Sequence, residues 1–406
     1  MAGQGQSLKP ERRFYELDVL RGLAAIVVVT FHYKHFFLTD AGGFDYSDMP
    51  LHQLLMPVYV YGQFFVELFF AISGYVFFWL YSEAIAARKI GLRSFAIARF
   101  ARLYPLYLVT LIFVALAQGA FRSLYGHDYI YNDNTAVNFA LNLIMAQQWL
   151  PDANQTFNGP GWSISVEVFL YIVFFALCRF RLQSAWTALV LIVAGLLFKY
   201  IHFDATNDFV RGLPSFFLGG LAWCAVEALK RRETFRHYVV WGLGAALPLM
   251  WVLAYLGGYD SLWGADQAAR AAQGLPRQGV HAALLSIASF AYILMPLTLV
   301  FFGLKRETWR EAWMQIDHLK RWSWIGDISY SLYLIHFPLQ ITLMLFLSRL
   351  PFAARASLFA SPLAYLAFMA TAMALAWLSY RYFEMPLRKQ IRDWLAPRLA
   401  RLAPLR

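Results

Sequence analysis

The chain has 406 residues, of which 60% are hydrophobic and only 15% charged, against roughly 25% charged in a soluble domain. Long apolar runs with so little charge exclude an ordinary soluble globule and point to a bilayer, where a helical span takes about 20 apolar residues. The net charge of +11 invites a nucleic-acid reading, but the basic residues are distributed as a membrane protein distributes them.

The apolar runs predict ten helices, at 17–37, 57–81, 104–120, 163–180, 184–201, 211–229, 238–257, 280–303, 325–348 and 358–380. The first contains Asp18 and Arg21 and lacks a small-residue cleavage site, so it reads as a retained span and not as a signal peptide. With the N-terminus inside, the inner segments hold 26 of the 35 Lys and Arg; the outer loops hold only Arg122, Arg270, Arg277, Arg349 and Arg355. Lys and Arg are retained on the cytoplasmic side, so this split places both termini in the cytoplasm. The expected organisation is a cytoplasmic segment 1–16, an all-α membrane domain 17–386 and a basic cytoplasmic tail 387–406, with no fused extracytoplasmic domain. The basic face suits anionic headgroups or an anionic cytoplasmic ligand, and no nucleic acid is needed to explain it. The longest outer loop, 121–161, is polar and is a candidate cover for an outward-facing site. Cys178 and Cys224 supply neither a disulfide framework nor a metal cluster.

Ionisable groups inside a bilayer are costly, so each marks a candidate site. Arg21 and His32 are eleven residues apart on the first helix. Eleven steps of about 100° return to within roughly 20° of one face, with a rise of ~16 Å. That spacing is on the order of a pantetheine arm, so Arg21 can meet the phosphate end of a coenzyme while His32 meets its thioester. The bland reading has Arg21 snorkelling to headgroups beside Asp18, with His32 a bonded core residue. On the second helix Gln63 and Glu67 share a face, and Ser73-Gly74 admits a close neighbour; Glu67 can equally be the structural partner of a buried cation. Arg99 and Arg102, three apart, suit phosphate or pyrophosphate, or are an ordinary basic flank. The fourth helix opens with Trp162, Ser163 and Glu167. Ser163 can simply cap it, and Glu167, at about the depth of His32, can orient that imidazole. The ninth carries Ser329, Tyr333 and His336 in one polar stripe, with His336 read chiefly as a bonded core residue. Glu384-Met385-Pro386 reads mainly as a helix ending.

In order, Leu17-Asp18-Val19-Leu20-Arg21-Gly22 with His32, Phe64–Phe70 with Ser73-Gly74-Tyr75, Arg99-x-x-Arg102 with Tyr104-Pro105, Trp162–Glu167, Ser329–Pro338 and Glu384-Met385-Pro386 resemble the membrane acyltransferase family 3. That family includes the O-acetylases of bacterial O-antigen, exopolysaccharide and Nod factor. The resemblance implies ten core helices in a bacterial inner membrane and a cytoplasmic acyl-CoA donor, usually acetyl-CoA, with no permanently bound cofactor and no metal. It implies that Arg21 and His32 are essential and that Arg99 and Arg102, with Tyr104 beside them, serve the donor. The acceptor is expected to be a hydroxyl of a carbohydrate or glycolipid on the outer side. His32 and Glu167 are the expected catalytic pair, supported by Glu67, Ser73, Trp162, Ser163, Tyr333 and His336. The rival readings are a transporter or flippase, which uses the same intramembrane charges for substrate flux, and a non-catalytic scaffold.

Overall fold

The computed structural model describes residues 13–38, 46–150, 153–201, 209–256, 287–308 and 317–401. Among these residues every regular element is helical and no strand occurs. The longer helices are α1 (Tyr15–His32), α2 (His52–Tyr61), α3 (Phe65–Ala86), α4 (Leu92–Tyr125), α5 (Ala136–Leu143), α6 (Trp162–Arg179), α7 (Ala185–Ile201), α8 (Phe209–Leu229), α9 (Glu233–Leu256), α10 (Ile287–Thr308), α11 (Ser329–Leu347), α12 (Phe352–Ala360), α13 (Pro362–Ser379) and α14 (Met385–Arg401). Six stretches among the described residues, in α3, α4, α6, α8, α11 and α13 through α14, are long and apolar enough to cross a membrane. Apolar side chains cover the outside of the bundle as well as its core: Leu116, Trp186 and Leu363 are each more than 70% exposed. A bundle solvated by lipid has this composition.

Several boundaries differ from the sequence expectation for identifiable reasons. The helix expected at 57–81 is divided by a 3₁₀ turn, Gly62–Phe64, between α2 and α3. Here the chain presses on α1: a Cβ on Gly62 would lie 2.7 Å from Phe31 Cβ. α4 begins at Leu92 and not at 104, and runs through Pro105 for 34 residues. That is about 51 Å, longer than the ~30 Å hydrocarbon layer, so Arg99 and Arg102 sit on the helix itself. The expected tail is also helical: α13 passes through a π turn, Tyr380–Glu384, into α14, which packs along α4. Residues 1–12, 280–286 and 402–406, and the loop arginines Arg270 and Arg277, lie outside the described residues.

Two close helix approaches depend on glycine. α3 and α8 cross where a Cβ on Gly74 would be 1.8 Å from the Phe216 carbonyl oxygen, and one on Gly219 would be 1.8 Å from that of Ala71. Such small-residue contacts let backbones approach where lipid supplies no hydrophobic drive between helices. α1 meets the short turn Trp324–Asp327 in the same way, with Gly22 against Ile325 and Gly326 against the Asp18 carbonyl. This second contact fixes α1 against the start of α11 and so places Arg21.

The 126–161 loop does more than cover one end. Leu143, at the end of α5, accepts a hydrogen bond through its carbonyl from Tyr104 in α4 (3.0 Å). Trp149 Nε1 donates to the Ser165 carbonyl (3.0 Å), and Gln147 Nε2 donates to Tyr107 Oη and to the Gly161 carbonyl, both at 3.0 Å. Pro338 in α11 lacks the N–H that would bond the Leu334 carbonyl. Asn158 Nδ2 from the loop donates to that carbonyl instead, at 3.1 Å.

Candidate active site

The site is built on α1 and α11, which lie side by side. At one end Arg21 donates from Nε to Ser329 Oγ (3.0 Å) and from Nη2 to the Gly326 carbonyl (2.7 Å), with Asp18 Oδ1 at 3.4 Å. Toward the other end His32 stacks on His336 of α11, with ring centroids 4.9 Å apart at 29°. Gln340, one turn further along α11, donates to the His32 carbonyl (2.8 Å). Both chemistry-bearing residues of α1 therefore face the same neighbouring helix inside the bundle.

At the Arg21 end a cavity of about 140 Å³ is lined by Arg21, Arg102, Arg388, Tyr330, Tyr380 and Glu384, among others. Glu384, carried on the π turn, accepts hydrogen bonds from Ser331 and Ser379. Arg102 and Arg388 make no hydrogen bond or ion pair among the described residues. Three guanidiniums border the small cavity together with Glu384 and Asp327, and the two without a bonded counter-charge have donors of the kind that suit phosphate oxygens.

At the opposite end His32, His35 and His336 gather within about 5 Å of His32, centroid to centroid. Their hydrogen bonds fix the tautomers. His32 Nδ1 lies 3.0 Å from the Val28 carbonyl and His336 Nδ1 lies 3.3 Å from that of Leu332. A carbonyl only accepts, so each Nδ1 carries a proton, and in the neutral ring each Nε2 keeps its lone pair. Gln340 must donate through its amide nitrogen to the His32 carbonyl, which leaves its Oε1 to accept from His35 Nδ1 at 3.1 Å. His336 Nε2 is buried and has no hydrogen-bond partner among the described residues. In its neutral form the cluster thus presents unprotonated ring nitrogens in a buried region.

Between the two ends runs a file of polar side chains. Tyr330 at the arginine cavity donates to the Leu103 carbonyl (2.5 Å). Glu167 accepts from Ser73 (2.8 Å) and from Tyr171, and interacts electrostatically with Arg102. Ser163 and Tyr333 share a hydrogen bond of 2.8 Å, and the Tyr333 ring lies 6.1 Å from that of His336.

The structure arranges some expected site residues differently. Glu167 makes no hydrogen bond to His32; its partners are Ser73 and Tyr171, and it faces Arg102 instead. Similar depth in two helices does not fix which side of each faces the other. Arg99 does not line the cavity. It donates to Tyr81 Oη (2.9 Å) and lies 5.2 Å from the Phe77 ring centroid, in an aromatic nest. Tyr104 is likewise turned away, stacked on Phe100 and tied to the Leu143 carbonyl. Glu67 takes the structural alternative: Arg211 of α8 binds it at 2.8 and 3.1 Å and sits over the Trp162 ring at 4.9 Å. Glu67 and Trp162 therefore hold helices together. Three residues near the chemistry escape the sequence reading: His35, Gln340 and Arg388. Glu384, expected mainly to end a helix, also lines the cavity. Their signals are spacings, His35 three after His32, Gln340 four after His336 and Arg388 four after Glu384.

No solved structure matches the chain. The acyltransferase MdmB of Streptomyces mycarofaciens is 27% identical over 213 residues, 50% of this chain and 50% of MdmB. Protein 2 in the picA locus of Rhizobium radiobacter is 32% identical over 203 residues, 47% of this chain and 95% of that protein. The chain thus spans about half the length of MdmB. A family model described as an acyltransferase domain matches residues 14–381, nearly the whole sequence, and the chain belongs to that family, acyltransferase family 3, as a helical membrane protein.

Proposed function

We propose that the protein is a membrane O-acyltransferase that takes an acyl group, acetyl in the first instance, from cytoplasmic acyl-CoA. It passes the group to a hydroxyl of a carbohydrate or glycolipid at the other face of a bacterial inner membrane. The observation that carries this reading is the alignment of the arginine cavity and the histidine cluster along one helix pair, α1 and α11. The ten-helix topology with cytoplasmic termini belongs to the same proposal. It rests on the 26 of 35 basic residues that the sequence puts on one side.

The anionic end of the donor docks against Arg102 and Arg388, whose guanidiniums are not already bonded, and against Arg21. Its pantetheine arm follows the file past Tyr330 and Tyr333 to the histidines, a distance of ~16 Å along α1. There His32 Nε2 accepts the proton of the acceptor hydroxyl as the oxygen attacks the thioester carbonyl. The tetrahedral intermediate collapses with cleavage of the C–S bond. The proton held on His32 goes to the departing thiolate, so the enzyme ends as it began. A positioned base of this kind contributes roughly 10²–10⁴ in rate. The Nδ1–H bond to Val28 keeps the basic lone pair on Nε2, and His336, stacked beside it, offers a second acceptor for the same proton.

The test is donor-dependent transfer by purified protein in nanodiscs. Acetyl-CoA and a panel of envelope glycans are supplied, and free thiol and acylated glycan are measured together. The reading expects thiol release that increases with acceptor and matches the ester formed. Uptake of glycan into sealed proteoliposomes with no donor present would instead establish the transporter reading.

A further inference from the structure

At the end of the bundle away from the arginines, the end of α4, the 127–132 loop and α12 line a second, wide-mouthed cavity of about 1120 Å³. It is larger than an ordinary small-molecule pocket of about 300–1,000 Å³. Its floor is Tyr129, which is 4% exposed and donates to the His35 carbonyl at 3.1 Å. The Tyr129 ring lies parallel to Phe337 at 5.8 Å, and His35 lies 5.1 Å from His32, centroid to centroid. Met344, on the cavity wall, is eight residues along α11 from His336, a rise of about 12 Å. Tyr129 therefore touches both the cavity and His35 of the histidine cluster.

Its walls offer two kinds of contact. Tyr125 and Phe352 bring aromatic rings that are not fully buried, which suit the apolar faces of sugar rings. The two cations differ. Arg122 is locked to Asp128 by two bonds, at 2.9 and 2.5 Å, so its charge is cancelled on the spot. The Arg355 guanidinium makes no hydrogen bond or ion pair among the described residues; it lies over the Phe352 ring, 5.6 Å from the centroid, and its Nε is buried. An uncancelled guanidinium beside aromatic rings suits a carboxylate or phosphate carried on a saccharide.

We propose that this cavity is the acceptor site and that the acceptor is an anionic glycoconjugate, its charged group held by Arg355 and its sugar rings by the surrounding aromatics. The inference rests on the acyl-transfer reading for the direction in which the bound hydroxyl is used. The anion can belong to the sugar, as a uronate, or to a lipid phosphate that carries it, and the test separates the two.

Binding is measured to the full chain in neutral phosphatidylcholine nanodiscs with three probes: a glucuronic acid tetramer, a glucose tetramer and a polyprenyl phosphate. One anionic probe should bind about tenfold more tightly than the neutral tetramer, the scale of one charge-assisted hydrogen bond. Whichever anion binds the tighter names the source. Arg355→Gln should remove that preference and Arg355→Lys should keep part of it, in proteins that unfold at the wild-type temperature. Equal binding of charged and neutral probes, a preference that survives Arg355→Gln, or no binding of any probe would each overturn the proposal. Thiol release from acetyl-CoA is followed separately in the wild type. Its absence with glycan binding intact counts against transfer alone, and its presence with no glycan binding counts against this site alone.

Discussion

Two sets of guanidinium groups in this bundle are treated in opposite ways. Arg211 is enclosed: Glu67 holds it by two bonds, the Gln63 carbonyl accepts a third at 3.1 Å, and Trp162 covers its face. Arg102 and Arg388 border a cavity of about 140 Å³ and have no hydrogen-bonded or ion-paired partner among the described residues. The first arrangement joins α3 to α8. The second sets its charge near Glu167 and Glu384 without a bond to either, so these guanidiniums keep their donors for an anion that arrives. A buried cation in a membrane protein is therefore not by itself a binding residue; what distinguishes the two is whether the fold has already bonded the counter-charge.

Substitutions can break this contrast from either side. The largest effect on stability is expected at the enclosed pair. Glu67→Leu strands the Arg211 charge and should cost about 3–5 kcal/mol, read as a lower unfolding temperature in detergent. Glu67→Leu with Arg211→Met should recover most of that loss, because two apolar groups replace a pair that was costly to desolvate. If the single variant unfolds like the wild type, Arg211 has another counter-charge and the contrast fails.

Next in size is the open cavity. Arg102→Gln should leave the unfolding temperature within about a degree or two while raising the KM for acyl-CoA by roughly ten- to a hundredfold, the scale of a lost charge-assisted bond. Arg388→Gln should act in the same direction and less strongly, because that residue is the more exposed of the two. An Arg99→Gln variant sharpens the comparison. Its guanidinium sits in an aromatic nest outside the cavity, so it should change stability more than donor KM.

The smallest effect concerns the loop that plugs the proline gap in α11. Asn158→Leu removes the donor to the Leu334 carbonyl. It should cost about 1–3 kcal/mol, the penalty of a buried unsatisfied group, with a matching loss of amide protection in the loop. A wild-type exchange profile would show that the bond holds nothing in place.

The helical membrane character is legible because a bilayer span demands about 20 successive apolar residues and few soluble helices do. The shared face of Arg21 and His32 followed from eleven steps of 100°. What sequence could not supply was rotation between helices. Helix position puts Glu167 at a useful height, but the residue turns to Ser73 and Tyr171, and spacing gives Arg99 the same role as Arg102 although they point to different neighbours. The structural role of Glu67 was visible from charge alone, but its partner, 144 residues away, was not. Arg388 was hidden for another reason. A basic stretch after the last apolar run reads as a loose tail, and only the π turn at Tyr380–Glu384 carries the chain on as α14 to the cavity.

The proposed chemistry depends on His32 being a working base and not a packed core residue. The direct measurement is acyl transfer by His32→Ala in nanodiscs, alongside its unfolding temperature and its affinity for acetyl-CoA. Wild-type folding and donor binding are predicted, with transfer reduced by at least about a hundredfold; transfer at the wild-type rate would contradict the assignment.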